Sequence, residues 1–302
     1  MKTVLRAEIG QAAWDGFCDC DPRAWFWHRW GWLDYGMALG GQRMDVSFAV
    51  LNDNRIIALF PQIVEGERLT FEGEPGAWPL APLRSLDGLP PFRPGSFRSC
   101  PLAENARLSR WGSVHVGWQS RVMNLRLSEA ELHAGVRKSY KALINRGLQR
   151  YEIVIGTSET LALGYQAVHG ASVGQIAPRP ERTYELQWEW ARDGFAFYVG
   201  ARAQGASRQA VAPWVAFAYI FTYKGGAYYG SGPSVEPDVM HAVLWSAILE
   251  AKRLGFKRFE IGWLGHARDD KERAVEFFKA GFPGEDIPVY VMEVENAHRV
   301  SS

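Results

Sequence analysis

The chain has 302 residues, enough for two domains of ordinary size. Hydrophobic residues at 47% and charged residues at 22% exclude a disordered or low-complexity chain, and 34 basic against 33 acidic side chains exclude the overall basic footprint of a nucleic-acid binder. Cys18, Cys20 and Cys100 form no CxxC pair, which gives neither a disulfide framework nor a zinc knuckle.

The N-terminal segment has no apolar run of signal-peptide length, and no stretch approaches the roughly 18 uninterrupted apolar residues of a membrane-spanning helix. The expected location is the cytoplasm. Asp21-Pro22 reads as an N-cap followed by proline in the first turn, which predicts a helix to about Met37. Trp25, Trp27, Trp30 and Trp32 crowd this segment. Packing of the helix against a sheet is the expected use of such a cluster, and stacking on a sugar or base is the alternative.

Two β-rich stretches, 46–51 and 55–64, flank Asn52-Asp53-Asn54 and predict a hairpin. Residues 73–101 are rich in Pro, Gly, Arg and Ser and read as a long irregular segment, whose Arg84, Arg93 and Arg98 either reach an anionic ligand or lie in solvent. Strands are expected at 113–117 and 121–127. Ser128-Glu129-Ala130-Glu131 is a capping-box signature that opens a helix expected to end at Gly147, with a domain boundary near its start, at 127/128. The N-terminal domain is then 1–127 and the C-terminal one 128–302.

Beyond it, strand and helix alternate. The pattern predicts a strand at 151–155, helices at 158–169 and 180–192, and strands at 195–203, 210–223 and 226–231. A helix at 237–254, a strand at 258–261, a helix at 271–280 capped by Gly281, and a last strand at 289–294 follow. This order gives an α/β fold of the α+β kind with a mixed, mostly antiparallel sheet flanked by helices.

Three segments could carry chemistry. In RKSYKALINRG, Arg137, Lys138, Lys141 and Arg146 fall within ten residues, and Arg137 and Lys141 share a helix face, where like charges repel unless an anion such as phosphate bridges them. A solvated basic face is the alternative. In GAYYGSGPS, residues 226–234, a short aromatic strand holding Tyr229 and Ser231 runs into small residues and a proline-started helix. Backbone amides there could approach a phosphate, although the usual Gln/Arg-x-x-Gly-x-Gly/Ala loop is missing and an ordinary strand-to-helix turn reads equally well.

In KERAVEFFKAGF, residues 271–282, Lys279 follows two phenylalanines, a setting in which an ammonium group could meet a developing oxyanion, or simply cap its helix. His169 and His241 fall near turns of the C-terminal half, with His169 a candidate general base against a structural role. Neither of these two histidines pairs with a carboxylate at metal-ligand spacing, so no metal is expected. No nucleophile elbow, Walker loop or dinucleotide fingerprint appears.

Taken in order, these segments resemble the FemAB-like acyltransferases, a branch of the GNAT superfamily, in the form found in bacterial surface-sugar pathways. The resemblance runs from Arg137 to Gly284 and rests on several pieces. These are Arg137-Lys138-Ser139-Tyr140-Lys141 with Ile144-Asn145; Arg182-Thr183-Tyr184 with Gln187; Tyr228-Tyr229-Gly230 with His241 and Leu244-Trp245; Ala251-Lys252 and Gly255; Phe259-Glu260-Ile261-Gly262; and Lys271-Glu272 leading to Phe278-Lys279-Ala280-Gly281-Phe282.

The resemblance implies tandem GNAT-like domains, the first degenerate, and transfer of an activated acyl group to an amine. In its sugar-pathway form the donor is acyl-CoA and the acceptor an amino group on a nucleotide-linked deoxysugar. In its peptidoglycan-bridge form, FemX-like, the donor is aminoacyl-tRNA. The missing charged helical hairpin and the segment 137–145 point to the sugar form, and a catalytically silent sugar-nucleotide binder is a third reading. The implied roles are Lys279 and backbone amides beyond Tyr229 at the oxyanion, His169 as base, and Arg137, Lys141, Arg146 and Arg182 at phosphates, with Tyr229, Ser231 and His241 completing the substrate site. Small molecules are the implied partners, with no DNA; a homodimer is left open. Where similar proteins carry Gly-Arg-x-x-Arg, this chain has Gly174-Gln175-Ile176-Ala177-Pro178-Arg179, which loosens any carry-over of acceptor specificity.

Overall fold

A computed structural model describes residues 1–65, 68–70, 80, 96–99, 113–175, 178–204, 213–265 and 267–293. The chain forms two compact units, Met1–Trp118 with Pro288–Ser302, and Gln119–Ile287.

In the first unit the elements are β1 (Lys2–Leu5), α1 (Arg6–Ile9), α2 (Gln11–Cys20), α3 (Trp30–Ala38), β2 (Arg43–Asp45), β3 (Phe48–Asn52), β4 (Arg55–Phe60), β5 (Ile63–Glu65), β6 (Arg68–Thr70) and β7 (Ser96–Ser99). They make two three-stranded sheets, β1-β3-β4 and β2-β5-β6. The hairpin is as expected: Asp53 and Asn54 turn between β3 and β4 with φ of 49° and 61°, the left-handed pair that matches strand twist. Pro61, which has no N–H to continue a ladder, ends β4, and the chain re-enters pairing in the second sheet as β5.

Asp21-Pro22 does not open a helix. Asp21 caps the C-terminus of α2, and the next full helix begins only at Trp30. Trp25, Trp27 and Trp32 are core, Trp27 fully buried with its ring 4.3 Å from Trp32, whereas Trp30 is only partly buried and lies under the Arg6 guanidinium at 3.9 Å. The segment 73–101 is outside the described residues, apart from Leu80 and β7.

The second unit uses β8 (Ser113–Asn124), α4 (Glu129–Gly135), α5 (Lys138–Arg150), β9 (Tyr151–Gly156), α6 (Glu159–Ala171), α7 (Glu181–Arg192), β10 (Ala196–Ala203), β11 (Trp214–Tyr223), β12 (Gly226–Ser231), α8 (Val239–Arg253), β13 (Arg258–Leu264), α9 (Asp270–Lys279) and β14 (Glu285–Glu293). Both β8 and β14 contribute residues to both units. The sheet runs β8-β13-β12-β11-β10-β9; β12 and β13 pair parallel and the other neighbours in this run antiparallel.

Alternation along the strands sends Phe197, Val199, Ala218 and Ile220 to one face, where they meet Tyr140 and Ile144 of α5 and Val243, Ala247 and Ile248 of α8. The other face carries Tyr198, Phe217 and Tyr219, which pack on Tyr165 of α6 with ring centroids 5.5 to 6.1 Å apart.

The capping box at Ser128 is present, its hydroxyl accepting from the Glu131 N–H and the Glu131 carboxylate accepting from the Ser128 N–H at 2.7 Å. The single helix expected to Gly147 is instead two. Val136 and Arg137 are extended, so that the Arg137 N–H can donate to the Gly281 carbonyl at 2.9 Å. Gly147 is no cap either. It lies inside α5, where a Cβ would come 2.6 Å from that of Ala242, so its small size sets the close approach of α5 to α8.

Candidate active site where two parallel strands part

The parallel pair β12/β13 has three rungs, Gly226 with Arg258, Ala227 with Phe259 and Tyr228 with Glu260, and pairing then stops. Sequence explains why. In β12 the register against β11 steps so that Ile220 faces Tyr229 and Tyr219 faces Ser231, leaving Gly230 bulged; a side chain there would collide with the Phe221 ring. In β13 the register against β8 steps between Glu260 and Gly262, leaving Ile261 bulged, and Gly262 has φ of 91°, which L side chains rarely adopt. Bulges bend and twist a strand away from its neighbour, and here two of them follow the last shared rung. The strands therefore part, and among the described residues no rung joins 229–231 of β12 to 261–264 of β13.

Lys279, in the last turn of α9, reaches this place. It is only 6% exposed, its Nζ donates to the Trp263 carbonyl at 3.3 Å and lies 4.1 Å from the centre of the Trp263 indole. A Cβ on Gly262 would sit 2.8 Å from the Tyr228 hydroxyl and 3.5 Å from Lys279 Nζ, so the missing side chain brings both polar groups to one spot. Glu260 lies beside them. It accepts from the Ser120 hydroxyl at 2.6 Å, and burial pushes its carboxyl above the usual range against the opposing pull of Ser120, Arg258 and Lys279.

The other expected site residues lie in different surroundings. His169, 3% exposed, has Nδ1 2.9 Å from the Tyr184 hydroxyl; burial, helped by Arg179, lowers its pKa to about 4. A group with that pKa holds a proton weakly at neutral pH, and it shares no described contact with Lys279. An unfolded histidine takes a proton below about 6.5 whereas the folded one resists until about 4, so folding weakens as pH falls through that interval. We expect His169→Gln to remove about 1–2 kcal/mol of the stability lost by wild type between pH 7 and pH 4.5, measured by urea unfolding at both values.

His241 has Nδ1 2.9 Å from the Asp238 carbonyl oxygen and stands edge-on to Tyr140 at 4.3 Å, and burial lowers its pKa. Tyr229 folds back over Gly232, its pKa raised by burial, and Ser231 ends β12. The basic segment does not converge on one point: Arg137 donates to the Phe277 carbonyl and Lys141 to that of Ala134, both at 3.2 Å. Exposed Arg182 is held by Glu185 and Glu189 at 2.9 and 2.8 Å.

Arg146 and Arg150 flank a small cavity of about 90 Å³ at the start of α8. The turn there suits a pyrophosphate poorly. Pro233 and Pro237 have no N–H; the amides of Val235, Glu236, Val239 and His241 donate to Val215, Ser234, Pro237 and Asp238; and the Glu236 carboxylate, held by Tyr151 and Arg150, adds negative charge. Among the described residues no cluster of three or more His, Cys, Asp or Glu is placed to hold a metal, and no helix is long and apolar enough to cross a membrane.

No protein-family profile and no curated protein matches the sequence. Solved structures do match the fold. FemX superposes with a TM-score of 0.64 over 97% of this chain and 96% of its own, at 11% identity. This chain has the FemX fold. L-PGS from Bacillus licheniformis follows with a TM-score of 0.54 over 80% and 82% of the two chains at 13% identity. A GNAT-family acetyltransferase from Colwellia psychrerythraea gives 0.52 over 97% and 99% at 12%. The expected GNAT-type α/β architecture is thus borne out.

Of the residues that line the parting strands of this FemX-like fold, the sequence assigned roles to Lys279, Tyr229 and Ser231, carried Tyr228 and Glu260 only as pieces of the resemblance with no role of their own, and gave no sign of Ser120. One signal was available: Glu260 is the lone acid in RFEIGWL, an otherwise apolar strand after its first residue.

Proposed function

We propose that the chain is an N-acyltransferase in which the activated carbonyl of an acyl donor sits between the diverging ends of β12 and β13 and is attacked directly by an amine. The observation that carries this reading is the pair of facing bulges with the Lys279 ammonium beside Gly262. Strand groups beyond the last shared rung can grip an extended donor, and a cation in a water-poor setting stabilises the oxyanion of a tetrahedral intermediate far better than it would in bulk water. Holding donor and amine in register lowers the barrier by up to about 7–11 kcal/mol in ideal cases. No covalent enzyme intermediate is required.

For the substrates, the resemblance of 137–145 supports acyl transfer to the amino group of a nucleotide-linked amino sugar, with acyl-CoA as donor and the exposed Arg146 as a phosphate contact. A phosphate at Arg182 would have to displace two carboxylates. The turn before α8 favours a second reading, because its spent amides and Glu236 fit a CoA pyrophosphate poorly. In that reading the donor is aminoacyl-tRNA, as in FemX-like bridge enzymes. Incubating the protein with acetyl-CoA, longer acyl-CoAs or charged tRNA, each against UDP- and dTDP-linked amino sugars and a UDP-linked muropeptide, separates them by the mass of the product. Acylated amino sugar from acyl-CoA alone establishes the first; product from charged tRNA alone establishes the second. Binding without turnover for every pair leaves a silent binder and removes both.

A further inference from the structure

We propose that Glu260 takes the proton from the acceptor amine, with the Ser120 hydroxyl holding its carboxylate in place; this rests on the acyl-transfer reading above. Its position is the first argument. Glu260 is the last residue of β13 paired with β12, opposite Tyr228, and the strands part at the next residue. A nucleophile approaching a carbonyl held in that gap therefore arrives next to the Glu260 side chain.

Cost is the second argument. Glu260 is 9% exposed, and a buried carboxylate is expensive unless paired or hydrogen-bonded. The Ser120 hydroxyl is the one hydrogen-bond donor that the described geometry gives it, and it occupies one lone-pair site of about four. Packing alone would be served as well by glutamine or leucine, so the acid has a use beyond packing. The charged and titratable groups that face it are Arg258 on its own strand, Lys279 from α9 and, across the parallel rung, Tyr228 of β12. Two cations keep a carboxylate available there, while burial makes it a stronger base than an exposed one.

The step balances. An acceptor ammonium bound beside Glu260 gives one proton to a carboxylate oxygen, and its freed lone pair forms the C–N bond while the carbonyl π pair moves to oxygen beside Lys279. Collapse breaks the bond from carbon to the donor's sulfur or oxygen, and that leaving atom takes the second amine proton. Glu260 then returns its proton to solvent.

The test is the pH dependence of kcat/KM for wild type, Glu260→Gln and Ser120→Ala, using the donor and acceptor pair that gives product. E260Q is expected to lower kcat by about 10²–10⁴-fold, with KM little changed, and to abolish the acidic limb of the profile. S120A is expected to keep the limb and move it up by about one pH unit, because a hydrogen bond favouring the ionised carboxylate is gone. Wild-type turnover with an acidic limb intact in E260Q overturns the proposal alone. Absence of turnover in wild type for every pair overturns the acyl-transfer reading and the proposal with it. If E260Q does not fold, S120A decides: an unmoved limb overturns the proposal.

Discussion

Replacing Lys279 with alanine should lower kcat by about 10²–10³-fold and leave KM within a few-fold of wild type. That split follows from the geometry. The ammonium donates to a main-chain carbonyl of β13 and lies over the Trp263 ring, so its charge is already placed before any substrate arrives. A preorganised charge of this kind interacts most with the oxyanion, which exists only in the transition state, and its removal is read in kcat. Loss confined to KM would instead make Lys279 a substrate-binding group. Because Lys279 is buried, alanine also removes packing. Lys279→Met, which keeps an unbranched stem without the charge, should fall as far in kcat while melting close to wild type.

Gly281→Ala should be among the most damaging single methyl additions, costing about 1–3 kcal/mol and several degrees of melting temperature. A Cβ at this position enters the ring of Tyr140. The ring has nowhere to go: His241 stands edge-on to it at 4.3 Å, Phe282 lies 5.8 Å away, and its hydroxyl donates to the Phe277 carbonyl at 3.1 Å. The Gly281 carbonyl is fixed as well, by the Arg137 N–H. Since the clash is with one side chain, Tyr140→Leu should recover part of the loss in the double variant, a coupling that thermal melts of the four proteins measure. The same contact links stability to chemistry, because Gly281 lies two residues after Lys279 and fixes the end of its helix.

Lys279 and Gly281 mark how far the sequence could be read. Local signals were legible. The Asn52-Asp53-Asn54 turn, the Ser128 capping box and the alternation of strands and helices from Tyr151 onward all appear, because each depends on neighbours within a few residues. Signals set by distant partners were not. Gly147 looks like a helix cap in isolation yet lies inside its helix, and Gly281 does follow a helix end, but the small size of each answers a distant side chain, Ala242 and Tyr140; the break at Val136–Arg137 serves a hydrogen bond to a residue 144 positions away.

The site divides in the same way. Lys279 stands out by its apolar neighbours, and the glycines of β12 mark a strand built for close approach. The parting of β12 from β13 needs two bulges in strands that are separated by a whole helix, and the Ser120–Glu260 bond joins residues 140 apart. Neither has a local signature. The converse holds for the basic run at 137–146, which reads as one phosphate site but is spread in space, because Arg137 and Lys141 answer different main-chain carbonyls.

The most direct test of the account is a crystal structure with an unreactive analogue of whichever donor supports turnover, its scissile oxygen or sulfur replaced by a methylene group. The analogue's carbonyl oxygen is expected between Tyr229 and Ile261, within hydrogen-bonding distance of Lys279 Nζ. An analogue seated elsewhere, for instance in the apolar cavity of about 480 Å³ lined by Leu163, Gly164, Ala167 and Trp214 along α6, would contradict it.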